Sequence, residues 1–237
     1  MNDHMFKRGL VTPYEINSPS LNRSVKLGIY LPENYSALKE HAVIMAFDGQ
    51  DFSQLGQLHR QYEELSTDVT ASIIIFIHYP DVATRSKEYH PDSPHKMKMI
   101  DFVTTELESF VTEHFAVSDQ RLLMGDSLAA SIALSISLHD AQFNQAALFS
   151  PMITEAIHQE LEALRHPVKY VQLIGKEEDA FKLMSGEIAD FLTPNRSFHS
   201  ELNNRGIEHE YRELDGGHTW KTWKPEIASI LLYFLGE

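Results

Sequence analysis

The chain has 237 residues, 43% hydrophobic and 23% charged, with 20 Lys+Arg against 34 Asp+Glu and a formal net charge of −14. This is an ordinary globular composition, and its acidic surplus disfavours both a nucleic-acid backbone and an anionic membrane face, which select basic surfaces. The absence of cysteine excludes disulfides, thiolate metal ligands and a cysteine nucleophile.

The opening MNDHMFKRGLVTPYEINSPS has no long apolar run after its charges, so it does not read as a secretory signal. The longest apolar stretch, around Ile73–Ile77, is far short of the ~20 residues a membrane helix needs. The simplest expectation is a cytoplasmic protein. SVKLGIYLP (24–32) alternates like a strand with one solvated face and closes on Pro32. AVIMAF (42–47), SIIIFI (72–77), RLLM (121–124), AALF (146–149) and VKYVQLI (168–174) are nearly continuous apolar runs, the pattern of strands covered on both faces. A last strand is expected around His209–Leu214. Helical patterns fall between these runs, over roughly 55–66, 96–115, 127–139, 153–164, 196–205 and 225–235. The alternation predicts one α/β domain over residues 1–237. Its sheet is mostly parallel with helices on both faces, and the N-terminal edge is antiparallel.

In open α/β sheets, ligands sit beyond the carboxyl ends of the strands. The residues after each run are therefore the candidates, and RLLMGDSLAASIALSISL is the most informative. Gly125-x-Ser127-x-Ala129 lies between a strand and a helix, the G-x-S-x-G nucleophile elbow with its last glycine replaced by alanine. A serine held in so sharp a turn needs very small neighbours two residues before and after. The helix that follows aims N–H groups at the serine oxygen.

Such a serine needs a base oriented by a carboxylate, in the chain order Ser…Asp/Glu…His. Glu178 and Asp179 follow VKYVQLIG, and His218 follows the last strand in ELDGGHTWKTW, where Gly216-Gly217 lets the chain turn back. Glu178 is the preferred acid, Asp179 the second, and Asp215 a more local third. Oxyanion donors are expected at the Leu128 N–H, after the serine, and the Gln50 N–H, in the FDGQDF turn.

With these residues in place, the chain resembles the esterase D-like, or enterochelin esterase-like, family of α/β-hydrolases along nearly its whole length. SVKLGIYLPENY is similar to the family's opening strand, VIMAFDGQDF to its "DGQ" oxyanion turn, and RSKEYHP to an "R-x-x-E-Y-x-P" loop. LLMGDSLAA stands where the family has its elbow, IGKEEDAF its acid loop and GGHTWKTW its "GGH-x-W-x-x-W" histidine loop. The resemblance implies an α/β-hydrolase fold and a serine carboxylester hydrolase. Ser127 would be its nucleophile, His218 its base, Glu178 its orienting acid, and Gln50 and Leu128 its oxyanion donors. Ala129 and Ala130 depart from the family's glycines, and Asp126 beside the serine bears on substrate class. Gly125-Asp126-Ser127-Leu128 also spells the block of the GDSL hydrolases, but that family carries its serine after the first strand, not in mid-chain.

The loop HYPDVATRSKEYHPDSPH is long for a bare connection. Arg85 and Tyr89 within it are candidate substrate contacts, with a loop-to-core salt bridge the alternative for Arg85. His90 and His95 lack a third ligand at zinc spacing, so neither a metal nor a cofactor is expected. Trp220 and Trp223 read as packing aromatics or as walls of an acyl pocket. The expected partner is a small-molecule ester, not nucleic acid or membrane, and a homo-oligomer is left open. The competing expectation is a non-catalytic binding or regulatory protein that keeps the fold.

Overall fold

The computed structural model describes residues 9–182, 186 and 188–236. Among the described residues there are ten strands: β1 (Leu10–Ser18), β2 (Arg23–Leu31), β3 (His41–Phe47), β4 (Ser72–Ile77), β5 (Val117–Asp126), β6 (Gln145–Phe149), β7 (Lys169–Gly175), β8 (Phe181–Lys182), β9 (Ile188–Ala189) and β10 (Glu208–Leu214). Eight of them make one sheet in the order β1-β2-β4-β3-β5-β6-β7-β10. β1 pairs antiparallel with β2, and β2 antiparallel with β4, while the remaining neighbours are parallel. β8 and β9 form a separate small hairpin.

The helices are α1 (Gly49–Gln54), α2 (Leu58–Glu64), α3 (Val82–Tyr89), α4 (Lys96–Asp101), α5 (Glu108–His114), α6 (Leu128–His139), α7 (Glu155–Ala163), α8 (Leu192–Asn204), α9 (Trp220–Trp223) and α10 (Ile227–Leu235). A π-helical turn, Phe102–Leu107, joins α4 to α5. None of the described helices is long and apolar enough to cross a membrane.

The continuous apolar runs are explained by burial on two sides. Side chains alternate along a strand, so Val43, Met45 and Phe47 enter one core while Ala42, Ile44 and Ala46 enter the other. The first core is closed by helices that include α5, α6 and α7, the second by α2 and α10. α6 is the most enclosed, with every residue from Ala129 to Leu138 buried. Small side chains at Ala129, Ala130 and Ala133 let it lie against the sheet.

Three elements differ from the sequence reading. β1 is a full nine-residue edge strand, mostly exposed, with Pro13 inside it. The stretch after Pro80 is not a loop throughout, because α3 forms there with Asp81 as its cap, accepting from the Thr84 N–H at 2.8 Å. The helix expected over 55–66 is shorter, α2 at Leu58–Glu64, and a separate short helix, α1, precedes it at Gly49–Gln54.

Candidate active site

Parallel register brings the ends of β5, β6, β7 and β10 level: Asp126 pairs with Phe149, Phe149 with Leu173, and Gly175 with Leu214. Residues far apart in sequence thus leave the sheet side by side. At the β5–α6 junction Ser127 has φ 55° and ψ −124°, a region costly for any residue with a side chain. Its N–H is tied to Phe149 O at 2.8 Å. The turn is so tight that a Cβ at Gly125 would lie 2.2 Å from Ala129 O, so no other residue fits there. Alanine at 129 is accommodated, fully buried.

Of the consecutive Glu177, Glu178 and Asp179, only Glu178 turns inward and is 0% exposed. The Glu178 N–H bonds back to Gly175 O, and the Glu178 carbonyl accepts from the Phe191 and Leu192 N–H groups. Its carboxylate is fully committed: Oε2 meets His218 Nδ1 at 2.7 Å, while Oε1 accepts from Ser150 Oγ at 2.7 Å and the Gly175 N–H at 2.8 Å. Gly175 has to be glycine, since a Cβ there would sit 2.5 Å from Gly216 O. Asp215 instead pairs with Lys176 at the surface, at 2.6 Å.

The Glu178 bond fixes a proton on His218 Nδ1 and leaves Nε2 as the basic nitrogen. The imidazole is packed by Phe181, Phe191 and Trp223, with ring centroids at 4.5, 4.7 and 4.9 Å. Phe181 belongs to the β8–β9 hairpin, which therefore covers the histidine. Trp223 does more than fill space: its Nε1–H donates to Ser150 Oγ at 3.0 Å. Trp220 stands edge-on to Phe52 at 4.8 Å.

Ser150 escaped the sequence reading as a site residue. Its only local signal was its place directly after β6, in Phe149-Ser150-Pro151. It too is left-handed, at φ 51°, as is Asp48 after β3. Strained non-glycine residues therefore end β3, β5 and β6, three neighbouring strands, the clustering typical of functional sites.

Gln50 and Leu128 each occupy the first turn of a helix, α1 and α6. Neither N–H makes a hydrogen bond among the described residues. Helix N-terminal N–H groups of this kind are natural anion receptors, although α1 is only six residues long.

Of the two substrate-contact candidates of the α3 segment, Tyr89 is buried away from any such contact, and Arg85 makes the loop-to-core salt bridge given above as its alternative. Tyr89 is 1% exposed and packs edge-on to Phe47, so its ring belongs to the core and not to a substrate wall. Arg85 points inward to Asp48, with Nε 2.9 and 2.7 Å from the two carboxylate oxygens. Burial pushes the Asp48 carboxyl up to about 6 despite the opposing pull of Arg85. The Asp126 carboxyl, buried and beside Asp48, lies well above the usual carboxylate range.

Residues 18–234 match the family model described as "Putative esterase". An uncharacterized Bacillus subtilis (strain 168) protein, YjcH, is 34% identical over 235 residues, covering 95% of this chain and 97% of its own. Among solved structures, an IroE-like serine hydrolase from Shewanella oneidensis superposes with a TM-score of 0.80 at 15% identity, over 95% of this chain and 80% of that one. S-formylglutathione hydrolase (FrmB) from Staphylococcus aureus gives 0.77 at 14% identity, over 95% and 96% of the two chains. These likenesses show the α/β-hydrolase fold. With the family model spanning nearly all of its length, the chain belongs to the esterase family.

Proposed function

We propose that the protein hydrolyses a carboxylic ester, or a thioester, through an acyl-enzyme formed on Ser127. His218 Nε2 takes the Ser127 Oγ proton as Oγ bonds to the carbonyl carbon, and the carbonyl π pair moves onto oxygen. The Leu128 and Gln50 N–H groups receive that oxyanion. On collapse the C–O or C–S bond breaks, and the leaving alcohol or thiol takes its proton from His218. A water molecule, deprotonated by the same nitrogen, then attacks the acyl-serine. Collapse of that second intermediate releases the acid and returns the proton to Ser127.

The observation that carries this reading is the His218–Glu178 hydrogen bond at 2.7 Å, with the acid held by two further donors behind it. A surface histidine has no need of a carboxylate that is 0% exposed and triply bonded. The strained Ser127 at an elbow beyond the same sheet edge supports the nucleophile.

The test is incubation with a fluorophosphonate, followed by intact-mass analysis and peptide mapping. The expected result is a single adduct on Ser127 that is absent from His218→Ala. A folded protein without an adduct would overturn the mechanism and leave the non-catalytic reading.

A further inference from the structure

We propose that Arg85 is a positioning residue for ester cleavage, its guanidinium joining the turn that carries Gln50 to the elbow that carries Leu128 and so setting the spacing of the two oxyanion donors. The proposal rests on the donor assignment above.

Two partner residues define the clamp. Arg85 bonds the Asp48 carboxylate through Nε at 2.7 Å and Nη2 at 2.5 Å, and the same Nη2 donates to the Asp126 carbonyl at 3.3 Å. Asp48 lies two residues before Gln50, and Asp126 two residues before Leu128. One planar group therefore touches both halves of the hole at the same remove from each donor.

The surroundings make this contact stiff. The Asp48 and Arg85 side chains are 2% and 16% exposed, so water and salt screen the pair little. The guanidinium lies within 5.6 and 5.9 Å of the Tyr79 and Tyr89 ring centroids. Asp48 stays left-handed at φ 51° with its carboxylate held, and it accepts the Asp51 and Phe52 N–H groups that start α1. Asp126 Oδ1 has no hydrogen-bond partner among the described residues. The carboxylate that meets the Arg85 charge directly is that of Asp48, through both Nε and Nη2.

Anchoring of α3 does not account for Arg85. That helix is already fastened by Arg23, which bonds Glu88 through Nε at 2.9 Å and Nη2 at 2.6 Å. Reception of a substrate carboxylate on the Nε–Nη2 fork does not account for it either, since both nitrogens are spent inside the protein.

The test compares wild type, Arg85→Gln, Arg85→Lys and Arg23→Gln by steady-state hydrolysis of p-nitrophenyl acetate, fluorophosphonate labelling rate and thermal melting. Displacement of a donor pair predicts a kcat loss of about 10²-fold in Arg85→Gln with little change in KM, and a parallel fall in labelling rate. Arg85→Lys keeps the charge but not the fork, so it recovers only part of the loss. Arg23→Gln melts lower and keeps kcat within about 2-fold. Unchanged kcat in Arg85→Gln, a rise in KM alone, or an equal kcat loss in Arg23→Gln would overturn the proposal. Should wild-type Ser127 fail to label, the hydrolase reading falls and this one with it. Labelling of wild type and Arg85→Gln at one rate sinks only the Arg85 role.

Discussion

Ser150 Oγ donates a 2.7 Å hydrogen bond to Glu178 Oε1 across 28 residues of sequence, and both side chains are wholly buried. The same hydroxyl accepts from Trp223, so β6, the acid loop and the α9 turn meet at one oxygen. Glu178 is thereby pinned to face His218.

Ser150→Ala leaves the Trp223 N–H without an acceptor and one Glu178 oxygen short of a donor. An unsatisfied buried group costs about 1–3 kcal/mol, which urea unfolding would register as a lower midpoint at unchanged slope. A fall in kcat of about 10-fold is expected as Glu178, the proposed orienting acid, loosens. Unchanged kcat and midpoint together would show that Gly175 and His218 suffice to hold Glu178.

Ser127→Gly separates strain from chemistry. Relief of a side chain from φ 55° and ψ −124° is worth about 1 kcal/mol or more, equivalent to a melting temperature about 2–4 °C higher for a domain of this size. Hydrolysis is expected to fall by about 10³-fold or more. Calorimetry and ester turnover on one preparation check both halves. A variant that melts lower contradicts the strain argument, whatever its activity.

Arg121 and Glu108 form a buried pair with contacts at 3.0 and 2.6 Å, and Gln142 also donates to Glu108. Arg121→Met alone strands the carboxylate and should cost about 3–5 kcal/mol. Arg121→Met with Glu108→Leu should come back close to wild type, because an apolar pair needs no desolvation to be offset. A double-mutant cycle by chemical denaturation reads the coupling.

Glu213 supplies a pH dependence of known sign. The Arg196 guanidinium, which takes Nε–Oε1 at 2.7 Å and Nη2–Oε2 at 2.8 Å, lowers this carboxyl to about 2 from its ordinary 4.5. A carboxyl depressed in the folded state contributes stability above its unfolded value, and loses it as pH falls through the folded value. Glu213→Gln should therefore unfold earlier than wild type above about pH 4.5, with the gap closing toward pH 2. The pair is partly solvated, so the gap is modest and shrinks in high salt. Denaturant midpoints at several pH values test this, and a constant gap throughout would refute the assignment.

Much of this was legible in the residues because burial on both faces leaves an unmistakable trace. Ile73 to Ile77 can hardly be anything but an interior strand, and the Gly125–Ala129 elbow is written in local sterics. Glu178 could be favoured over Asp179 by position, but the close approach of Gly216, in the loop after β10, to Gly175 beside it is a contact between distant segments. α3 escaped because Val82–Tyr89 is mostly polar and follows a proline, and only Asp81 with Thr84 signalled its start. Ser150 escaped for a deeper reason: its partners, Glu178 and Trp223, lie 28 and 73 residues away. No window of sequence contains that relationship.

The strand leading to His218 is also the outer edge of the sheet. A strand edge with open N–H and C=O groups is a template for another chain, and natural edges are blunted by charge. β10 carries Glu208, Glu210 and Arg212 on one face, and Arg212 is held by Glu210 and Glu226 at 2.7 and 2.8 Å. The charged row that borders this edge and the lead-in to the proposed base thus share the same seven residues. Neutralising that charged row would expose the sheet to edge-to-edge growth at the point where the histidine loop begins, so aggregation and loss of turnover would share one origin.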